Sequence, residues 1–279
     1  RVFQTRSEAA RVLVDREGCV WLGTRSDGLY RFTPAVLSSV APTALDKPLN
    51  LYSLYEDRDG RMWFAGYGAG AGVLRDGVAI TSPLPLLTRA FALCVAGRRD
   101  GTVLAGTFRG GLWSVREGTM TPYASEFLGR SDDVWLIHED RSGALWVGTQ
   151  RGLWRARGAE WTRFGTEAGL GSAWVRTCLE RRGGELWFGT AGGGIAIWRD
   201  GRFETIREKQ GLTAPSVRGM YEDERGVVWA GTEGQGLARI DLAEGAPAAN
   251  AHVSQVRAKD GLYDDVVHAV LGHHDELWA

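Results

Sequence analysis

Short runs of apolar residues, four to six long and bounded by Gly and Asp, recur along the chain. Within residues 217–240 the run 217–222 alternates weakly, 223–226 is a tight turn, and 227–232 is a second run. A second turn covers 233–236, and a third run covers 237–240. No window of eleven residues holds a sustained 3.6 period, so the pattern predicts short strands joined by hairpin turns. The unit is a β-meander.

That unit repeats from end to end. Trp229 aligns with Trp21, Trp63, Leu104, Trp146, Trp187 and Trp278, at intervals of 42, 41, 42, 41, 42 and 49 residues. A period in this range suits one four-stranded propeller blade. First strands fall at the start of 9–18, 51–60, 92–101, 134–143, 175–184, 217–226 and 266–275, and second strands read W-L-G-T, W-V-G-T, W-F-G-T or a close variant. Third strands beginning at Gly28, Gly72, Gly111, Gly152, Gly194 and Gly236 number six, and fourth strands are weakly marked, as in 160–164 and from Gly201. The expected fold is all-β, a seven-bladed β-propeller of four-stranded antiparallel blades, one domain over residues 1–279. A ring must pair its ends or leave an exposed edge. Residues 2–6, V-F-Q-T-R, are therefore expected to complete the seventh blade, whose first two strands would come from 266–279. The chain opens on Arg1 and stops at Ala279 inside an expected strand, and so reads as a piece of a longer one.

Composition narrows the function classes. Of 279 residues 44% are hydrophobic, enough for a sizeable core. A net charge of −1 gives no electrostatic footprint for nucleic acid or an anionic membrane surface. No run of 18 apolar residues spans a membrane, and no leader opens the chain. Cys19, Cys94 and Cys178 sit in three different units at no zinc spacing, and are expected to be small buried hydrophobes.

The combination G-L, V, E-D-x-x-G-x-x-W-x-G-T and G-L-x-R closely resembles the two-component regulator propeller repeat. Gly211, Leu212, Val217, Glu222, Asp223, Gly226, Trp229, Gly231, Thr232, Gly236 and Leu237 carry the fullest match. Unit three departs from it, with Leu104 for the tryptophan and Gly97-Arg98 for the acidic pair, and unit two has Ala65-Gly66 for Gly-Thr. The resemblance implies the periplasmic sensor part of a membrane-anchored histidine kinase or hybrid two-component system, non-catalytic in itself. It also implies a small-molecule or oligosaccharide ligand, and a second propeller or a dimer partner in the parent sensor. The motif residues build the blade and do not name the ligand.

Candidate chemistry is sparse. The E-D-x-x-G turns could be taken for carboxylate clusters, but Asp accepting backbone N–H groups and Gly supplying a positive φ explain them locally. The Gly-rich residues 66–72 lack phosphate-loop spacing. His273-His274-Asp275-Glu276 has metal-capable side chains that point apart on a turn, and no cofactor or metal is expected. A streptogramin-lyase-like enzyme would need a histidine near the channel mouth, where His268 could stand. A protein-interaction propeller is a further alternative.

Ligand residues are expected where the repeat stops repeating. Thirteen positions before the Trp column come Glu8, Asn50, Phe91, Asp133, Trp174, Ser216 and Asp265. Two positions further on come Ala10, Tyr52, Leu93, Trp135, Arg176, Arg218 and Val267, and the turns after the second strands add Arg25, Tyr67, Phe108, Arg109, Arg151 and Glu233. Aromatic faces beside Arg and Asp suit a sugar ring. The plainer alternative is that Asn, Asp and Ser form Asx-type turns and that Arg solvates a rim. The residues singled out as ligand-binding are Trp135, Trp174, Arg176, Arg218, Asp133, Tyr52, Phe108, Arg109, Arg151, Asp265 and His268, the first four foremost.

Overall fold

A computed structural model describes residues 9–26, 28–33, 37–40, 50–67, 70–75, 78–81, 91–116, 119–129, 132–273 and 276–279. Two compact units, residues 1–139 and 140–279, are taken separately below. Among the described residues are six four-stranded antiparallel sheets, each a meander of consecutive strands. Blade one comprises Ala9–Val14, Val20–Thr24, Leu29–Phe32 and Leu37–Val40; blade two, Asn50–Glu56, Met62–Tyr67, Gly70–Arg75 and Val78–Thr81; blade three, Ala92–Gly97, Val103–Thr107, Gly111–Arg116 and Thr119–Pro122. Blade four comprises Val134–Glu139, Leu145–Thr149, Gly152–Arg157 and Glu160–Phe164; blade five, Val175–Glu180, Leu186–Thr190, Ile195–Arg199 and Arg202–Ile206; blade six, Val217–Glu222, Val228–Thr232, Leu237–Asp241 and His252–Val256. The weakly marked fourth strands are thus present in every blade.

The expectation of seven blades is corrected to six. The seventh unit contributes a two-stranded hairpin, Leu271–His273 with Glu276–Trp278, in place of a four-stranded sheet. Residues 266–270, expected to begin its first strand, carry an isolated bridge from Val266 to Glu233 and no strand. Val267 and Val270 are instead buried against Leu237 of blade six. The Trp278 register counted a unit that lacks its third-strand sequence, and the 49-residue interval was the sign of it. Residues 2–6, Glu8, His274 and Asp275 lie outside the described residues, and with them the expected closure and the histidine pair.

The repeat motif has a direct physical reading. Asp15, Asp57, Asp140 and Asp223 each accept the indole N–H of the tryptophan six residues on, at 2.6, 2.7, 2.7 and 3.0 Å. The other carboxylate oxygen takes turn N–H groups, as Asp57 does from Asp59 and Arg61 at 3.0 and 2.9 Å. Arg31, Arg155 and Arg239 stand on the third strands directly opposite Trp21, Trp146 and Trp229, with their guanidinium carbons 5.3, 5.6 and 6.0 Å from the rings. The glutamate that ends the first strand joins neighbouring blades: Glu56 accepts the Arg16 N–H, Glu180 the Arg141 N–H and Glu222 the Arg182 N–H, at 3.0, 3.0 and 2.8 Å. The threonines of Gly-Thr donate to glycine carbonyls that open the third strand, as Thr232 does to Gly236 at 2.7 Å. Before blade six, Gly211 ends a 3₁₀ turn at φ +98° and sets Leu212 in the core.

In the first unit, blades one and two share a core of Trp21, Leu29, Leu51, Leu54 and Phe64. In the second, blades five and six share Trp187, Ile195, Ile197, Val217, Val228 and Ile240. All three cysteines are free, and burial pushes the Cys94 thiol up to about 12. No helix among the described residues is long and apolar enough to cross a membrane.

Candidate functional site

One irregularity recurs in the first strands. In blades one, two, three, five and six the pairing with the second strand shifts by a residue, between Ala9 and Arg11, Leu51 and Ser53, Ala92 and Cys94, Val175 and Thr177, and Val217 and Gly219. The extra residues are Ala10, Tyr52, Leu93, Arg176 and Arg218. A β-bulge bends the strand and re-aims the side chain it carries. The non-motif column read from the sequence is therefore, in these blades, the column that the bulge takes out of the sheet's ordinary alternation.

In the second unit this column assembles a polar cluster. Arg176 and Arg218 converge on Glu233 in the turn after the second strand of blade six: Arg176 Nη1 donates to Oε2 at 3.3 Å and Arg218 Nη2 to Oε1 at 2.6 Å. The Arg176 guanidinium carbon lies 4.1 Å from the centroid of the Trp174 ring, a cation–π contact. Backbone bonds hold these pieces in place: Ala191 N–H to the Trp174 carbonyl at 2.8 Å and Glu233 N–H to the Ser216 carbonyl at 3.1 Å. Burial, and then the charge of Arg218, push the Arg176 pKa below its usual value. The Arg218 hydrogen bond holds the Glu233 carboxyl below the usual range. The arrangement can recognise an anionic or hydroxyl-rich group beside an aromatic face.

A different surface forms in the first unit. Tyr67, 52% exposed, stacks on Phe91 at 4.0 Å with the planes 5° apart, and Phe91 leans on Phe108 at 5.9 Å. The Arg109 guanidinium carbon lies 5.1 Å from the Phe108 centroid, and the Arg109 N–H, on a backbone at φ +52°, bonds Asp133 at 2.8 Å. Tyr67 and Phe91 stood in the non-motif columns without being singled out, and their stacking follows from the turn lying beside the strand entry.

The remaining candidates separate. Asp265 accepts the Ala258 N–H at 2.7 Å, and its carbonyl takes Gly234 and Gly236 N–H groups, which is turn construction. Asp133 caps the Arg109 backbone in the same way. Arg151 is exposed; its N–H bonds Thr149 and its carbonyl accepts from Arg163, both within blade four. His268 is half-buried in the segment before the last hairpin, and Tyr52 and Trp135 are half-buried on first strands of the first unit. Trp174, Arg176 and Arg218 are thus the foremost candidates that the structure brings together, with Glu233 as the member that had not been singled out. A sole acid among the turn positions Arg25, Tyr67, Phe108, Gln150, Ala191 and Glu233 was the available signal. Elsewhere, Asp15, Glu17 and Cys19 bring ligand atoms within 4.8 Å of one another, but Arg31 already donates to Glu17 and to the Cys19 sulfur.

Residues 47–68, 129–151 and 211–234 match the two component regulator propeller. No curated protein sequence matches the chain. Among solved structures, the extracellular domain of a putative hybrid two component system from B. thetaiotaomicron is similar with a TM-score of 0.59 at 17% identity, over 93% of this chain and 42% of that one. A second such domain from B. thetaiotaomicron gives 0.58 at 18% identity, over 97% of this chain and 38% of that one. The chain therefore spans about two fifths of the length of these domains. Virginiamycin B lyase from Staphylococcus aureus gives 0.73 at 13% identity, over 96% and 89%. At these identities the likeness establishes the fold, a β-propeller.

Proposed function

We propose that this chain, which carries two-component regulator propeller repeats, is the extracytoplasmic ligand-sensing part of a bacterial two-component sensor and performs no catalytic step itself. The observation that carries the reading is the gathering of Trp174, Arg176, Arg218 and Glu233, four residues that blade construction does not require, around one charged centre. Similarity to extracellular domains of two-component systems supports it. A polar ligand such as an oligosaccharide would lay hydroxyls on the guanidinium groups and carboxylate, and an apolar ring face on the indole. Sensing then requires unequal affinity for two arrangements of the parent protein.

The test is a thermal-shift screen of the protein against oligosaccharides and other small polar metabolites, with Trp174→Ala and Arg176→Ala in parallel. A ligand that raises Tm in the parent protein and not in the two variants is the expected result. Turnover of a streptogramin B antibiotic would overturn the non-catalytic reading, and a ligand whose shift survives both substitutions would move the site elsewhere.

A further inference from the structure

The charges of the second-unit cluster do not balance within it. Two guanidinium groups, with side chains only 12% and 19% exposed, share the Glu233 carboxylate, which is 44% exposed. Arg218 gives it a single nitrogen and so does not form with it the two-pronged pair that guanidinium and carboxylate prefer. The Arg218 Nε is buried with no hydrogen-bond partner among the described residues.

The two kinds of group are also held differently. Arg176 and Arg218 project from bulges flanked by fully buried Val175 and Val217, and Trp174 braces the Arg176 guanidinium. Glu233 stands on an exposed turn, followed by Gly234 at φ +96°. The Glu233 backbone is held by its bridge to Val266 and its N–H bond to Ser216, so exchange at the arginines needs only its side chain, the most exposed of the three, to turn outward. Five other blades hold Arg25, Tyr67, Phe108, Gln150 and Ala191 at that turn position, so the blade does not need an acid there.

We propose that Glu233 is an intramolecular stand-in for a ligand carboxylate, which displaces it from between Arg176 and Arg218. This rests on the sensing reading above and adds the ligand class: a small molecule bearing a carboxylate. Binding exchanges one carboxylate for another at the same two guanidinium groups, so the ligand's affinity is set against Glu233. Ligand and Glu233 therefore compete.

The test is titration of D-glucuronate, its neutral counterpart D-glucose, and acetate into the protein, Glu233→Gln, Arg218→Gln and Arg218→Lys, followed by calorimetry and ligand-observed NMR. Expected are binding of glucuronate in preference to glucose, a gain of about tenfold or more for glucuronate and acetate in Glu233→Gln, and loss in Arg218→Gln. Arg218→Lys keeps the charge without the planar fork, and a partial loss there separates recognition from a folding defect. Equal binding of glucose and glucuronate, unchanged carboxylate affinity in Glu233→Gln, or no carboxylate binding by either protein overturns the proposal. Trp174-dependent binding of neutral oligosaccharides with no carboxylate preference would do so while leaving the sensing reading intact. Arg218-dependent carboxylate binding beside a silent oligosaccharide panel would support the stand-in and remove the oligosaccharide reading.

Discussion

Blades three and five both place arginine where four other blades place the tryptophan-binding aspartate, and they resolve the change in opposite ways. In blade three Arg98 comes with Leu104 in the tryptophan position, so no indole N–H needs an acceptor; the cross-strand partner is Ser114 rather than arginine. In blade five Arg181 comes with Trp187 retained, and Glu185, two residues earlier, accepts the indole N–H at 2.6 Å. A buried donor left unpaired costs more than an average hydrogen bond contributes. What the motif conserves is therefore a satisfied indole. Aspartate is its commonest means.

The displaced arginines differ as well. Arg98 pairs with Glu139 at 3.1 Å while its side chain remains 25% exposed. Arg181 is 2% exposed, donates to Glu222 at 2.9 Å, to Gly226 and Leu242 carbonyls, and lies over Trp187 at 5.2 Å. Removing one partner of a buried pair leaves an uncompensated charge, so Arg181→Ala is expected to cost about 3–5 kcal/mol. Arg98→Ala leaves Glu139 the Arg99 N–H and some contact with water, and is expected to cost about 1 kcal/mol. Urea denaturation midpoints of the two variants check the ordering; equal midpoints would mean that the two blades use their arginines alike.

The indole itself gives a smaller effect. Asp140→Ala leaves the N–H of Trp146, 1% exposed, without its carboxylate, at an expected cost of about 1–3 kcal/mol. Glu185→Ala should cost at least as much, because Glu185 also holds Arg199. A near-neutral Glu185→Ala would show that blade five does not depend on a replacement acceptor, and the parallel with Asp140 would fail.

Much of this was legible in the sequence because the blade is a local object. Strand, turn and third strand follow within about 40 residues, and Trp229, Asp223 and Gly236 fix its register. The number of blades was less legible: Trp278 keeps the register while residues 266–270 pack without forming a strand, a tertiary outcome that periodicity does not report. The site was legible as a column but not as contacts. The column marked Arg176 and Arg218, and the recurring bulge re-aims both. Which turn residue answers them depends on the approach of Glu233 across 57 and 15 residues, which no local pattern contains. The simultaneous loss of aspartate and tryptophan at Arg98 and Leu104 was the missed sign that the two are bonded.

The smallest expected effect is on pH dependence, and it separates the aspartate blades from blade three. Burial alone would raise the Asp140 carboxyl, but the Ser142 hydroxyl, the Trp146 indole N–H and turn backbone N–H groups outweigh it and hold the carboxyl below its usual value. Asp57 and Asp223 are likewise held low against burial, by Trp63 with Arg61 and by Trp229 with turn N–H groups. A carboxyl with a depressed folded pKa binds fewer protons folded than unfolded. Its contribution is full above the ordinary carboxyl pKa and is lost as pH falls below it, through the lower folded value. Tm measured from pH 6 down to pH 2 should therefore fall on an acid limb that is shallower in Asp140→Asn, and shallower again when Asp223→Asn is added. Arg98→Gln in blade three should leave the limb's shape nearly unchanged, since that blade has no indole-bound carboxylate to protonate. An acid limb untouched by both asparagine substitutions would show that the indole-bound aspartates do not set the acid sensitivity, and the difference drawn here between the blades would fail.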